Sequence, residues 1–350
     1  MAERTFKGEM ESSTKMCPLD KLGVKDRKIL YELSKNGRLS ISTIAKKVGL
    51  SRDIVGYRLN NFLKTKLIPG FTLRLNTSRL GFIKHIVLIK FQHLDKKEER
   101  EIIDKLVNHE DIVAVETCSG NWDMSVLIMS RDLIHLNKTF QELIEICGNN
   151  LKDYIVETQI DDRELGLNFL NEGLADSKDD KYIRDGFMNE FKNISPSKDP
   201  KIDEVDINLI NLLMADSRMP MVEICSKLKL TPPAVENRIK KLIKEDVIYG
   251  FMTQVSLQML GLHWYWILLR TKNLTEKREK QFLDYLKKQP YITWDARTIG
   301  RYNFHLSTFA RDSIHFREIL SDLRKEFSDI IVDYDSLLVF NQYKYMHRIA

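Results

Sequence analysis

The chain has 350 residues, 43% hydrophobic and 30% charged, with only 8 prolines and 15 glycines, so most of it can bury apolar surface and little need stay unfolded. That length exceeds what one core usually serves and asks for at least two domains. The longest apolar runs, such as Ile86 to Ile89 and Trp264 to Leu269, fall far short of a bilayer span, and a formal charge of +5 is too slight to decide whether the chain meets nucleic acid.

Residues 1–21 mix charges and small polar groups without an apolar core, unlike a secretory signal, and are expected to form a flexible leader to a protein that stays in the cytoplasm. From Asp26 to Leu33 the apolar residues Ile29, Leu30 and Leu33 make a helical stripe that Asn36-Gly37 ends as a C-cap. Ser40 starts a second helix, carrying Ile41, Ile44, Ala45 and Val48, which stops at Gly49. Ser51 caps a third, with Val55, Leu59, Phe62 and Leu63 facing inward. Three short helices with a tight turn at Gly49 form the helix-turn-helix pattern. Ile68 to Leu75 alternates and is expected to pair as a wing or hinge strand. Then come strands at Phe82 to Phe91, Ile112 to Cys118, Met124 to Met129 and Leu151 to Thr158, with helices at Lys96 to Asn108 and Asp132 to Cys147. That order, βαββαβ, predicts a ferredoxin-like sandwich with its helices on one face of an antiparallel sheet. Residues 161–201, rich in Asp, Lys, Ser and Asn, read as a linker with a short amphipathic helix near Tyr182 to Phe191.

Beyond the linker the chain repeats itself at one constant offset of 180 residues, the distance from Asp26 to Asp206. Arg38 falls on Arg218, Val55 on Val235, Arg58 on Arg238, Gly70-Phe71 on Gly250-Phe251, Gly120 on Gly300 and Asp153-Tyr154 on Asp333-Tyr334, without a gap. The copies run from Leu22 to Ile160 and from Ile202 to Tyr343. Helices at Asp206 to Leu213, Met221 to Leu228 and Thr231 to Ile243 repeat the first three, with Pro232 at a first-turn position that tolerates proline. The expected class is α+β: winged helix-turn-helix domains at 22–75 and 202–255, and βαββαβ sensing and assembly domains at 76–160 and 256–345. The open sheet face of each sandwich must be covered. Pairing with the other copy is the cheapest cover, and Trp264, Trp266 and Leu268, alternating along one strand, suit it.

The third helix of each copy is the candidate reader of a DNA major groove. In copy one its outward stripe is Asp53, Tyr57, Asn60 and Lys64, flanked by Arg52, Arg58 and Asn61. In copy two it is Pro233, Asn237, Lys240 and Lys244, flanked by Arg238 and Lys241. Arg and Asn pair bidentately with guanine and adenine edges, whereas Lys more often neutralises phosphate. With Ser51 and Thr231 at the caps, these are the expected contacts to duplex DNA. Asp26 to Lys66 carries ten basic and three acidic residues, net +7, while Asp206 to Asp246 carries seven and six, net +1. The first helix-turn-helix is therefore expected to contribute more electrostatic affinity.

The segments SRDIVGYRLNNFLKTKLIPGF and TPPAVENRIKKLIKEDVIYGF, each followed by a Leu-Gly pair and a βαββαβ pattern, resemble the Lrp/AsnC family of prokaryotic regulators over nearly all of both copies. Its specific parts are Val235, Arg238, Ile239 and Leu242, then Ile248 and Gly250, and Gly120 with Asp123 in GNWDMSVLI. The resemblance implies a transcriptional regulator and not an enzyme. It also implies C-terminal domains that pair into dimers and larger homo-oligomers, and a small effector, often an amino acid, held between them. One chain with two units then resembles a covalent pseudo-dimer. By position, Gly120, Trp122 and Asp123 fall at the effector turn of copy one, and Gly300 and Asn303 at that of copy two. Asp123 is expected to meet an effector ammonium group that Asn303 cannot.

Siroheme decarboxylases resemble the same fold, and His263, His305, Arg297, Arg301 and Tyr302 are the residues that would line a tetrapyrrole pocket. Copy one has Ile83, Ser125, Thr117, Asn121 and Trp122 there. A chromatin-like architectural protein is the third reading. Cys17, Cys118, Cys147 and Cys225 form no CxxC pair and have no histidines at metal spacing, and no catalytic triad or phosphate loop stands out. No cofactor, metal, catalytic residue or membrane partner is expected.

Overall fold

The computed structural model describes residues 17–172, 200–345 and 349; the helix expected near Tyr182 to Phe191 lies outside them. Copy one folds as α1 (Val24–Lys35), α2 (Ile41–Val48), α3 (Arg52–Lys64), β1 (Gly70–Leu75), β2 (Ile83–Phe91), α4 (Lys96–Asn108), β3 (Ile112–Ser119), β4 (Met124–Ser130), α5 (Leu133–Cys147) and β5 (Leu151–Glu164). Copy two follows as α6 (Glu204–Ala215), α7 (Met221–Leu228), α8 (Pro232–Lys244), β6 (Ile248–Gln254), β7 (His263–Thr271), α9 (Glu276–Leu286), β8 (Ile292–Ile299), β9 (Phe304–Ala310), α10 (Ser313–Glu326) and β10 (Ile331–Tyr345). These elements gather into two compact units, and each unit draws on both copies.

One unit holds both helix-turn-helices. Ser40 and Ser51 cap α2 and α3 as expected, accepting the N–H of Thr43 at 3.1 Å and of Ile54 at 3.3 Å, and Gly49 closes α2 in a left-handed turn. Ile29, Leu30, Leu33, Ile44 and Val55 are fully buried between the helices. The alternating segment after α3 pairs with its counterpart: β1 and β6 form an antiparallel two-stranded sheet. Thr72 lies opposite Met252, its own equivalent in the repeat, so the ladder is centred on a local two-fold axis. Reciprocal bonds extend it, from the Gly37 N–H to the Phe251 carbonyl at 2.6 Å and from the Ser217 N–H to the Phe71 carbonyl at 3.1 Å. Arg38 stacks over Phe251, and Arg218 over Phe71.

The role expected of Gly37 is corrected here. Asn36, in extended backbone, caps α1, and Gly37 is not left-handed. A Cβ on Gly37 would stand 2.9 Å from the Met252 carbonyl oxygen, so the residue is small because the other copy's strand passes against it. Two further expectations change. The end of the leader is not flexible, because Cys17 and Leu19 donate N–H bonds to Met259 and Leu260. Nor is all of 161–201 a linker. Strand β5 runs on to Glu164, and a single 3-10 turn, Asn168–Asn171, buries Phe169 and Leu170 while the Arg27 guanidinium binds their carbonyls.

The other unit holds both βαββαβ domains. Their strands close into a barrel in the order β10-β3-β4-β2-β5-β8-β9-β7. Each four-stranded sheet carries its own helices, over a core of Val87, Ile89, Leu106, Val126 and Leu143 in copy one and of Ile267, Leu269, Phe282, Phe304 and Leu323 in copy two. The two seams are equivalent, since Thr158 pairs with Ile299 on one side and Leu338 with Ser119 on the other. The sheet face away from the helices is thus covered by the other copy, as expected. Trp264 and Leu268 are buried, and the Trp266 indole donates across the copies to Glu116 at 3.0 Å.

Equivalent acids on α1 and α6 lead to a test. Asp206 is completely buried and accepts from Arg238 at 2.6 Å and Lys241 at 2.8 Å, whereas Asp26 is partly exposed and binds Arg58 alone at 2.7 Å. Asp206→Ala is expected to destabilise the fold by about 2–3 kcal/mol, tempered by the solvent its cations would regain, and Asp26→Ala by less than about 1 kcal/mol. Urea unfolding of the two variants checks this; equal losses would contradict it.

Candidate DNA-recognition helices and effector turns

Helix α3 presents Ser51, Arg52, Tyr57, Asn60, Asn61 and Lys64 to solvent, and α8 presents Thr231, Asn237, Lys240 and Lys244. Tyr57 is 76% exposed, too much for a packing role. Arg58, Arg238 and Lys241 stand apart from the other expected contacts. Each is half-buried and ion-paired within its own domain, Arg58 to Asp26, Arg238 to Asp203 and Asp206, and Lys241 to Asp206. Their position one helical step off the outward stripe turns them toward the first helix of the domain. Sequence reading also passed over Ile54, 43% exposed beside Tyr57, because apolar periodicity assigns such residues to the core by default.

At the turns, Asp123 and Asn303 do the same local work. The Asp123 Oδ2 accepts the Phe91 N–H at 2.9 Å, and the Asn303 Oδ1 accepts the N–H of Thr271, the equivalent residue, at 2.7 Å. The other Asp123 oxygen binds Lys90 Nζ at 2.8 Å. Both side chains therefore hold their turn to the neighbouring strand, and the carboxylate expected to meet an effector ammonium already has a lysine. Gly120, with φ +144, lets its turn approach β10 closely, since a Cβ there would lie 2.8 Å from the Ser336 carbonyl oxygen. Gly300 faces Glu157 in the same way, and Trp122 is buried.

Four acids of this unit have partners in the other copy. Asp335 accepts from Asn121 of copy one and from the Tyr302 hydroxyl of copy two. Glu157, completely buried, accepts the Tyr302 N–H at 2.8 Å and contacts the buried His305. Glu116 accepts from Trp266 and, at 2.7 Å, from Gln342, and burial pushes its carboxyl up to about 7 although both hydrogen bonds pull the other way. Burial likewise pushes Asp295 up to about 6 against the opposing pull of Arg163, whose Nε lies 2.8 Å away. Sequence reading missed Glu116, Glu157 and Asp295, yet a lone acid inside an apolar strand, as in AVETC and YIVET, is a readable signal.

Three of the five residues that would line a tetrapyrrole pocket have partners of their own. Arg297 binds Glu279 at 2.7 Å and Asp161 at 3.1 Å, His305 contacts Glu157, Tyr302 is buried, and His263 and Arg301 are exposed. Among the described residues no cluster of His, Cys, Asp and Glu could hold a metal ion, and no helix is long and apolar enough to cross a membrane.

Residues 24–62 match the AsnC-type helix-turn-helix domain, and residues 202–249 match a winged helix-turn-helix DNA-binding domain. The chain is 31% identical over 127 residues to the proline dehydrogenase transcriptional activator of Rhodobacter capsulatus, which spans 35% of this chain and 80% of that protein. It is 35% identical over 101 residues to the HTH-type transcriptional regulator LrpC of Bacillus subtilis, covering 29% of this chain and 68% of the relative. The crystal structure of the siroheme decarboxylase NirDL is similar in fold, with a TM-score of 0.60 over 93% of each chain at 11% identity.

The buried Glu116 makes stability depend on pH. Because its folded pKa lies above the ordinary 4.5, its protonated form favours the fold; that contribution is whole below about pH 4.5 and is lost as pH rises to about 7. The loss is on the order of 3 kcal/mol. Glu116→Gln, neutral throughout, should reduce the slope of stability over this window in urea titrations at stepped pH, leaving the contribution of Asp295. A wild-type and variant profile of the same slope would refute the assignment.

Proposed function

The chain belongs to the Lrp/AsnC family of DNA-binding transcriptional regulators, and we propose that it grips duplex DNA with both recognition helices of one chain at once. The observation that carries this is the β1–β6 ladder, which joins two helix-turn-helices with exposed polar stripes about a local two-fold axis, the arrangement that separate subunits of a regulator otherwise achieve by dimerising. Arg52, Tyr57, Asn60, Asn61 and Lys64 on α3 and Asn237, Lys240 and Lys244 on α8 make the contacts, with Ser51 and Thr231 at the helix starts. Arg58, Arg238 and Lys241 act at one remove, by fixing the pitch of each helix on its domain.

Affinity should fall steeply with salt, because lysines and arginines displace counterions from the phosphates. Reversing Arg52 and Lys64 to Glu should weaken binding more than the matched reversal of Lys240 and Lys244 to Glu, since the first helix-turn-helix carries net +7 and the second +1. Titration of duplex DNA across a salt series measures both; a flat response would sink the proposal, and equal losses would remove the asymmetry.

The effector proposal shifts from Asp123 to Asp335. An amino-acid-like ligand would bind where Gly120, Trp122 and Asp123 of one turn and Gly300 and Asn303 of the other shape the backbone, and Asp335, approached by both turns, would take its ammonium group. Calorimetric titration of an amino-acid panel should then show binding lost in Asp335→Asn and kept in Asp123→Asn; the reverse pattern would make Asp123 the ammonium partner. The same proposal makes the protein a non-enzymatic, cytoplasmic one. Its support is the engagement of Arg297 and His305 by acids, and siroheme turnover by the purified protein would overturn it. Homo-oligomers are part of it too, through Ile134 and Ile314, exposed at equivalent helix starts.

A further inference from the structure

The two recognition helices differ where they face outward and agree where they are held. Val55 and Val235, Leu59 and Ile239, and Phe62 and Leu242 are buried equivalents, and Arg58 and Arg238 both bind an acid on the first helix of their domain. Outward, Arg52 stands opposite Pro232 in the repeat, Asp53 opposite Pro233, Ile54 opposite Ala234, Tyr57 opposite Asn237, and Asn60 and Asn61 opposite Lys240 and Lys241. Of the expected contact positions off the ion pairs, only Lys64 and Lys244 repeat the same residue.

The backbone differs as well. Helix α3 opens with Arg52 and Asp53, whose N–H groups precede the first one capped by Ser51. Helix α8 opens with Pro232 and Pro233, which carry no N–H, and the Thr231 hydroxyl makes no cap bond. Its first turn therefore offers an exposed apolar Pro-Pro surface in place of donors.

Arginine specifies guanine and asparagine specifies adenine through paired hydrogen bonds, apolar groups fit the thymine methyl, and lysine serves phosphate. We infer that each chain reads a non-palindromic site of two unlike elements. Under α3, Arg52 selects guanine and Asn60 selects adenine. Under α8, Asn237 selects adenine, Pro233 packs on a thymine methyl, and Lys240 and Lys244 bind phosphate. A two-fold frame thus carries two different readers, which identical subunits could not do. This inference rests on the DNA-binding reading above.

The test is selection of bound duplexes from a random-sequence pool by the full chain, repeated with Asn60→Ala and Asn237→Ala. The expected motif has two unlike elements; Asn60→Ala relaxes one by about 5- to 150-fold in base discrimination and Asn237→Ala relaxes only the other. Two elements that are inverted copies of each other, or a variant that relaxes both alike, would overturn the inference. Salt-sensitive binding with no enriched motif overturns it while the DNA-binding reading stands. Failure to bind the pool at low salt removes both.

Discussion

A strand edge leaves a row of backbone N–H and C=O groups without partners, and a four-stranded βαββαβ sheet has two such edges. In this chain the edges of copy one, β3 and β5, meet β10 and β8 of copy two, and eight strands close with no edge left over. The helix-turn-helix unit obeys the same constraint on a smaller scale, since β1 has no partner in its own copy and takes β6. Backbone pairing of this kind depends on register more than on side-chain identity. The frame can therefore remain two-fold while the residues hung on it diverge.

Divergence reaches the copy-to-copy contacts of the barrel. Glu157 has Leu337 as its equivalent, so the turn of copy two rests on a buried carboxylate and the turn of copy one on a leucine. Asp295, bound by Arg163, has Val115 as its equivalent, and Arg163 has Tyr343. A buried charge is tolerable only with its partner in place. In a dimer of identical subunits each such charge would occur twice and need its partner twice; in a fused pair an ion pair on one seam need not be repeated on the other. The interface is thereby keyed to copy one against copy two.

Much of this was legible in the sequence. Helix caps at Ser40 and Ser51, the Gly49 turn, the α4 boundaries and the βαββαβ order follow from capping chemistry and periodicity, and those are local properties of the chain. What could not be read were the features fixed by the other copy. The extension of β5 from Thr158 to Glu164 exists because β8 pairs with it, and no periodicity within copy one announces that. Gly37 reads as a cap until the Met252 carbonyl is seen beside it. At the recognition helices the exposed stripe is legible, but a charge on a helix does not reveal that an acid from another helix already pairs with Arg58 and Arg238. At the turns, Asp123 and Asn303 look like a gain and loss of charge, yet their common task is one backbone bond.

The likeness to a siroheme decarboxylase spans almost the whole chain at 11% identity, which is a likeness of strand order and helix placement. Function is carried by side chains that the frame leaves unconstrained, so the relevant question is where each charge goes. Arg297, a candidate for binding a tetrapyrrole carboxylate, already has two carboxylates of its own in Asp161 and Glu279. Arg52 and Lys64 lie exposed on a helix whose opposite face is locked into its domain by Val55, Leu59 and Phe62. A cation that its own protein has neutralised is poorly placed to bind an anionic ligand, while one presented on a rigid exposed helix retains its charge for a phosphate or a base edge. Arg52 and Lys64 are cations of the second kind, and Arg297 is one of the first.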